Sequence, residues 1–151
     1  MRAVIQRVAY SKVEVDGKIV GDIEQGLMVL LGVTHEDGEA DMDRLIKKIL
    51  NLRIFNDAEG KMNLSVQDIN GQIQVISQFT LYADTRKGNR PSFMRSAKPD
   101  VSLPMYQQFL EKLRWQFSGK VAEGKFGAEM KVSLLNDGPV TIILDTKQID
   151  F

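Results

Sequence analysis

The pattern of apolar positions divides the chain into strands at both ends and two helices between them. Residues 1–8, Met1-Arg2-Ala3-Val4-Ile5-Gln6-Arg7-Val8, carry a charge inside an apolar stretch, which predicts a strand. Ser11-Lys12-Val13-Glu14-Val15 alternates polar and apolar side chains, as a half-buried strand does. Asp16-Gly17 then makes a two-residue link to Lys18-Ile19-Val20, a strong short-range hairpin signal. Residues 26–33 are continuously apolar and bounded by glycine, which predicts a strand buried on both faces. Met42, Leu45, Ile46, Ile49 and Leu50 then fall on one helical stripe, with Asp41, Asp43, Lys47 and Lys48 off it. Acids lead and bases trail, as the helix dipole prefers.

A further strand is predicted from Gln72 to Tyr82, and a second helix from about Pro104 to Phe117. Tyr106, Phe109, Leu110, Leu113 and Phe117 supply its stripe. Pro104 fits a first helical turn, whose amides lack helical partners. Strands return at residues 120–126, 129–135 and 140–145, with Asn136-Asp137-Gly138-Pro139 turning between the last two. No repeat or low-complexity linker interrupts this order, so residues 1–151 read as one domain. The expected fold is α+β: a mainly antiparallel sheet or barrel with two helices.

Composition narrows the chemistry. At 151 residues with 43% hydrophobic content, the chain can bury a core of its own. No apolar run approaches the roughly 20 residues that span a bilayer, and the N-terminal stretch does not read as a signal peptide. The absence of cysteine removes disulfides, thiolate metal sites and a thiol nucleophile, and is compatible with a cytoplasmic protein. Twenty basic residues balance twenty acidic ones, which argues weakly against a nucleic-acid protein. Distribution matters more: residues 85–98 carry Arg86, Lys87, Arg90, Arg95 and Lys98 with no acid. This stretch reads either as a solvated loop or as a phosphate-facing patch.

Conventional catalysts are scarce. The single histidine, His35, lies beside Glu36 and Asp37 after a buried strand, too little for a metal site or a protease-type triad. Neither GxxxxGK[ST] nor GxGxxG occurs, which disfavours nucleotide hydrolysis and dinucleotide chemistry. Two segments remain. Ser77-Gln78-Phe79-Thr80-Leu81 places three polar side chains at the end of an apolar strand. Alternation there sets Ser77 and Phe79 on one face, and Gln78 and Thr80 on the other, facing either solvent or a bound carbonyl. Asn136-Asp137-Gly138-Pro139-Val140-Thr141 reads as a tight turn, and its Gly-Pro bond is also a place where a cis peptide is tolerated.

Together these segments resemble the D-aminoacyl-tRNA deacylase family. The match includes Ala3-Val4-Ile5-Gln6-Arg7-Val8, Ser77-Gln78-Phe79-Thr80-Leu81-Tyr82-Ala83-Asp84, Lys87-Gly88-Asn89-Arg90-Pro91-Ser92-Phe93 and residues 136–141, and spans essentially the whole chain. SQxxL followed by NxGPxT in so short a chain is a specific pair. The resemblance implies a cytoplasmic homodimer with active sites at the subunit interface, needing no cofactor or metal. It implies hydrolysis of D-aminoacyl-tRNA, and of glycyl-tRNA mischarged on tRNA(Ala). It also implies a cis Gly138-Pro139 bond whose carbonyls reject L-aminoacyl groups in the partner's pocket, with Arg7 steadying that loop. Gln78, Phe79 and Thr80 are then the catalytic segment, with backbone amides near Phe79 and Thr80 for the oxyanion. Ser77 and Gln78 orient the terminal adenosine, whose 2′-hydroxyl helps activate water. Arg86, Lys87, Arg90, Arg95 and Lys98 are candidates for acceptor-stem phosphates on charge alone. Two alternatives stand beside this: a covalent esterase with Thr80 as nucleophile, and a non-enzymatic RNA-binding β-barrel.

Overall fold

A computed structural model describes residues 1–148 of the chain. Strand β1 (Arg2–Val15) is the backbone of the sheet. It turns through Asp16 and Gly17, both with positive φ (50° and 75°), into β2 (Lys18–Ile23). That geometry matches the right-handed twist of the flanking strands, which is why Asp-Gly works there. Strand β3 (Gly26–Gly32) returns alongside the first half of β1. Its continuous apolar run is explained by two buried faces: Leu27, Val29 and Leu31 meet the helices, while Met28 packs with Val8, Val13, Ile23 and Ile76 on the opposite face.

Helix α1 (Glu39–Asn51) buries the expected stripe of Met42, Leu45, Ile46, Ile49 and Leu50. A short hairpin absent from the sequence reading follows, β4 (Phe55–Asn56) with β5 (Met62–Leu64). Strand β6 (Gln72–Ser77) then pairs parallel to β3, and β7 (Val121–Glu123) pairs parallel to β6. The sheet is therefore mixed: β1 pairs antiparallel with its three neighbours, while β3–β6 and β6–β7 are parallel. Alternation cannot reveal this, because strand direction is set by the crossover connections. Strand β2 comes back against β7, bridged by Lys120 to Asp22 at 3.2 Å, so the sheet nearly closes into a barrel.

Three predicted boundaries move. The strand expected over 72–82 stops at Ser77, and a single 3-10 turn takes over from Phe79 to Tyr82. Helix α2 (Pro99–Gln116) begins one and a half turns earlier than expected, with Pro99 at its start. Pro104 is thus inside the helix, and its missing N–H leaves the exposed Asp100 carbonyl to solvent. At the C-terminus, strands expected over 129–135 and 140–145 are one strand, β8 (Lys131–Asp145). It runs antiparallel to β1 along nearly its full length, so residues 136–139 do not reverse the chain. They form a bulge instead: the pairs Gln6–Thr141 and Val8–Asn136 leave Arg7 alone opposite residues 137–140.

Both helices cover one face of the sheet, where Phe109 and Leu113 are fully buried with the α1 stripe. Truncating Phe109 to Ala there costs about 3–5 kcal/mol. The opposite face holds the smaller cluster around Met28 and Ile76, together with a polar contact, Ser11 Oγ donating to Gln74 Oε1 at 2.6 Å.

Candidate active site

The parallel pair β3–β6 delivers the first candidate segment. Leu31 and Ser77 are register partners at the carboxyl ends of these strands, and the Gln78 amide donates to the Leu31 carbonyl at 2.8 Å. Backbone then leaves the sheet through Gln78 and winds into the 3-10 turn. Because a helical turn cannot satisfy its own first amides, those of Phe79 and Thr80 find no acceptor among the described residues. The end of the strand thus offers two adjacent free N–H donors.

Beside them opens a cleft of about 570 Å³. Ser77, Gln78 and Phe79 line it, over a floor that includes Leu31, Val33 and Ile76. Phe93, Phe126 and Met130 add apolar surface, and among the described residues no histidine or carboxylate lines the cleft. Phe79 is 57% exposed and meets Phe93 edge to face, with centroids 5.1 Å apart. Tyr106 reaches the cleft from α2, its hydroxyl donating to the Val75 carbonyl at 2.8 Å. Burial pushes that phenol's pKa up and keeps it a donor.

Thr80 is placed differently from Ser77 and Gln78. It is exposed, does not line the cleft, and its hydroxyl oxygen accepts from Gln78 Nε2. The turn itself is held from behind by a residue that sequence reading passed over. Arg2 donates to the Leu81 carbonyl at 2.6 Å and to Asp145 at 2.6 and 2.9 Å, and its guanidinium lies 4.9 Å from the Tyr82 ring centre. Burial opposes ionisation of Asp145, but the hydrogen bonds from Arg2 and the Lys147 amide outweigh it and lower the pKa. One charged residue in an apolar N-terminal strand gave no signal of this. Phe93 had a signal, since it closes the matched run 87–93.

The second segment lies elsewhere in the same chain. The Gly138–Pro139 peptide is cis, and Asp137, Gly138 and Pro139 are exposed outside the cleft. Arg7, only 9% exposed, donates from Nε to the Asp137 carbonyl at 2.8 Å and from Nη1 to the Ile54 carbonyl at 2.7 Å. The Asn136 side chain closes the bulge, with Oδ1 accepting from the Val140 amide at 2.9 Å. Gly138 has φ +142°, and a Cβ there would stand 2.9 Å from Arg7 Nη2.

The basic stretch does not form one patch. Arg86 is paired with Asp84 at 2.6 Å, while Lys87 and Arg90 are exposed. Lys98 lines the cleft, and Arg95 lines a separate hollow that also contains His35. Among the described residues, no group of three or more histidine, cysteine or acidic side chains is arranged to hold a metal. No helix among them is long and apolar enough to cross a membrane.

Comparison with known proteins decides the family. The profile described as D-Tyr-tRNA(Tyr) deacylase matches residues 4–145. The chain belongs to this family. Membership makes it a deacylase, an enzyme that cleaves esters, and confirms the resemblance read from its motifs. A D-aminoacyl-tRNA deacylase from Fusobacterium nucleatum subsp. nucleatum is 59% identical over 147 residues, 97% of either chain. One from Thermosipho africanus is 56% identical over 149 residues, 99% of each. Among solved structures, c-Myc DNA Unwinding Element Binding Protein superposes with a TM-score of 0.92 at 42% identity, covering 96% of this chain and 98% of that one. A probable eukaryotic D-amino acid tRNA deacylase, 18% identical with a TM-score of 0.78 over 95% and 97% of the two chains, shares the fold.

Proposed function

We propose that this chain, acting as one domain over residues 1–151, hydrolyses the ester of D-aminoacyl-tRNA and releases free D-amino acid and tRNA. The observation that carries the reading is the pair of free amides at Phe79 and Thr80, beside a cleft that no histidine or carboxylate among the described residues lines. An aminoacyl ester is already activated, so positioning and charge stabilisation can replace a strong base. The two amides hold the developing oxyanion, a contact worth about 2.7–4 kcal/mol per donor. Ser77 and Gln78 orient the terminal adenosine and the ester. The 2′-hydroxyl of that adenosine helps activate water, so part of the catalyst is the RNA itself.

Chirality is read by a second copy of the chain. In the proposed homodimer, Gly138 and Pro139 of one copy enter the cleft of the other, and their carbonyls exclude an L side chain. Glycine has no side chain to exclude, so glycyl-tRNA mischarged on tRNA(Ala) is a secondary substrate. Two features support the arrangement. Residues 137–139 are exposed and lie outside their own chain's cleft. Tyr10, Leu135 and Ile143 leave apolar side chains exposed on the β1–β8 pair, and Val132 of the same strand also lines the cleft. Lys87, Arg90, Arg95 and Lys98, with Arg86, supply phosphate contacts in a cytoplasmic enzyme.

The test is release of D-tyrosine against L-tyrosine from charged tRNA by the purified protein. Preferential release of the D-amino acid supports the reading. Equal rates sink the chiral pocket, and no release sinks the activity. A monomeric mass in solution at working concentration would remove the second copy.

A further inference from the structure

The 3-10 turn separates two hollows. Phe79 lines the cleft, while Tyr82, three residues on, lines a second hollow of about 250 Å³. The neighbouring segment does the same: Ser96, Ala97 and Lys98 line the cleft, and Arg95 lines the second hollow. Thr34 Oγ1 donates to the Arg95 carbonyl at 2.6 Å, and the Ala97 amide to the Val33 carbonyl at 2.9 Å. A turn of this kind rises about 2 Å per residue, so its two ends stand about 6 Å apart. That is the reach of a single nucleotide.

Two observations mark the second hollow as a place for a ligand. Tyr82 is only 3% exposed, yet its buried hydroxyl has no hydrogen-bond partner. A buried polar group left in that state is costly, and folds rarely retain one without use. Arg95 is the second: its exposed guanidinium makes no hydrogen bond or ion pair among the described residues. Two other cations nearby are engaged. Arg2 binds Asp145, and Lys147 binds Asp41 at 2.9 Å. Glu36 is exposed. Burial, then the negative charges of Asp37 and Asp145, push the Tyr82 phenol's pKa up, so it remains a donor. A cation and a neutral donor together call for an anionic oxygen.

We propose that this hollow receives the phosphate on the 5′ side of the terminal nucleotide, with Arg95 meeting its charge and the Tyr82 hydroxyl donating to one of its oxygens. The assignment rests on the deacylase reading and extends it: the cleft holds the terminal nucleoside and its ester, and the chain passes over the turn. Arg95 thereby acts at one defined phosphate, unlike Lys87 and Arg90 in the loop.

Two small esters test this, D-tyrosyl-adenosine with no phosphate and the D-tyrosyl ester of cytidylyl-adenosine with one. The readout is the ratio of kcat/KM between the dinucleotide and the nucleoside. Arg95→Ala lowers that ratio about tenfold, and Tyr82→Phe lowers it severalfold without lowering Tm, since the lost oxygen had no partner in the protein. A loss shared equally by both esters makes these residues structural and overturns the proposal, as does an unchanged ratio. A second measurement uses D-tyrosyl-tRNA with a neutral methylphosphonate at that single linkage. There the advantage of the parent protein over Arg95→Ala disappears; an advantage that survives also overturns the proposal. If the parent cleaves neither small ester nor charged tRNA, the deacylase reading itself falls, a result distinct from either of these.

Discussion

Arg2 Nη1 donates to the carbonyl oxygen of Leu81 at 2.6 Å, tying the first strand of the sheet to the turn that carries Phe79 and Thr80. Arg2 does not line the cleft, so under the proposed function it acts only by fixing where those amides point. Replacing it removes the side-chain donor from the Leu81 carbonyl and leaves Asp145 with only the Lys147 amide, at about 1–3 kcal/mol for an unpaired group. Arg2→Ala is expected to lower kcat about tenfold or more, with a smaller change in KM. Arg2→Lys should recover part of it, since an ammonium can reach one of the two acceptors. Equal changes in kcat and KM, in a variant of unchanged Tm, would contradict a positioning role.

Asp41 gives a defined response to acid. Burial raises its pKa, but hydrogen bonds from Lys147, Thr146 and the Gly38 amide outweigh that and bring it from 3.8 to about 2. A carboxyl whose folded pKa is depressed contributes stability that is present above its unfolded pKa and lost as pH falls through the folded value. The contribution from Asp41 is therefore full above about pH 4 and gone near pH 2, and Asp145 adds in the same direction. Urea midpoints measured from pH 7 down to 2.5 should fall more steeply in the parent than in Asp41→Asn. Identical slopes would contradict the assignment.

What the sequence made legible follows from how local each determinant is. The α1 stripe and the Asp16-Gly17 hairpin are written in adjacent residues, and both appear as read. The parallel pairing of β6 is not, because Ile73, Val75 and Ile76 look the same beside a strand of either direction. The end of β6 at Ser77 was missed for a related reason: the run from Gln78 to Tyr82 keeps strand-like residue types, and the turn forms because Arg2 holds Leu81 and the core takes Tyr82. Asn136-Asp137-Gly138-Pro139 carries a strong local turn signature, yet β1 holds β8 on both sides of it. Long-range pairing converts the turn into a bulge. Ser77, Gln78 and Phe79 stood out because polar groups interrupt an apolar strand, and all three line the cleft. The roles of Arg2 and Tyr82 depend on contacts many residues away and left no mark in the sequence.

Arg7 and Gly138 should act together on chiral discrimination. Arg7→Ala takes the donor from the Asp137 and Ile54 carbonyls, a loss of about 1–3 kcal/mol in stability that falls mainly on the buried Ile54 carbonyl. Gly138→Ala keeps the guanidinium but forces a Cβ to 2.7 Å from Val140 Cγ2 at a φ of +142°, a strain of about 1–3 kcal/mol. Under the proposed function, both variants lower the ratio of D-tyrosyl to L-tyrosyl hydrolysis, by admitting the L-ester or by slowing the D-ester. A ratio that stays at the parent value in both would detach this bulge from chirality.

Thr80 should prove dispensable as a nucleophile. Its hydroxyl oxygen accepts from Gln78 Nε2, and among the described residues no histidine or carboxylate lines the cleft to take its proton. Thr80→Ala is expected to lose less than about tenfold in kcat, because the amide at position 80 remains in place. Rapid-quench mass spectrometry of the parent with D-tyrosyl-tRNA should detect no acyl-enzyme. Trapping such a species, or a loss of several thousandfold in Thr80→Ala, would restore the covalent esterase.

Salt dependence separates the members of the basic stretch. Each cation that neutralises a tRNA phosphate releases condensed counterions, so log(kcat/KM) measured below saturation falls linearly with log[salt], by about 0.7–0.9 per contact. Lys87 and Arg90 are exposed, so Lys87→Ala and Arg90→Ala should each flatten the slope by close to that amount. Arg86 differs because its guanidinium is already joined to Asp84 at 2.6 Å, and that pair holds the Asp84 carboxyl well below its ordinary pKa. A cation bound to its own carboxylate recruits little from the counterion layer, so Arg86→Ala should change the slope less than either neighbour. The paired variant Asp84→Asn frees Arg86 and should steepen the slope. If Arg86→Ala flattens the slope as much as Lys87→Ala does, the ion pair opens on tRNA binding, and the three cations act as one patch.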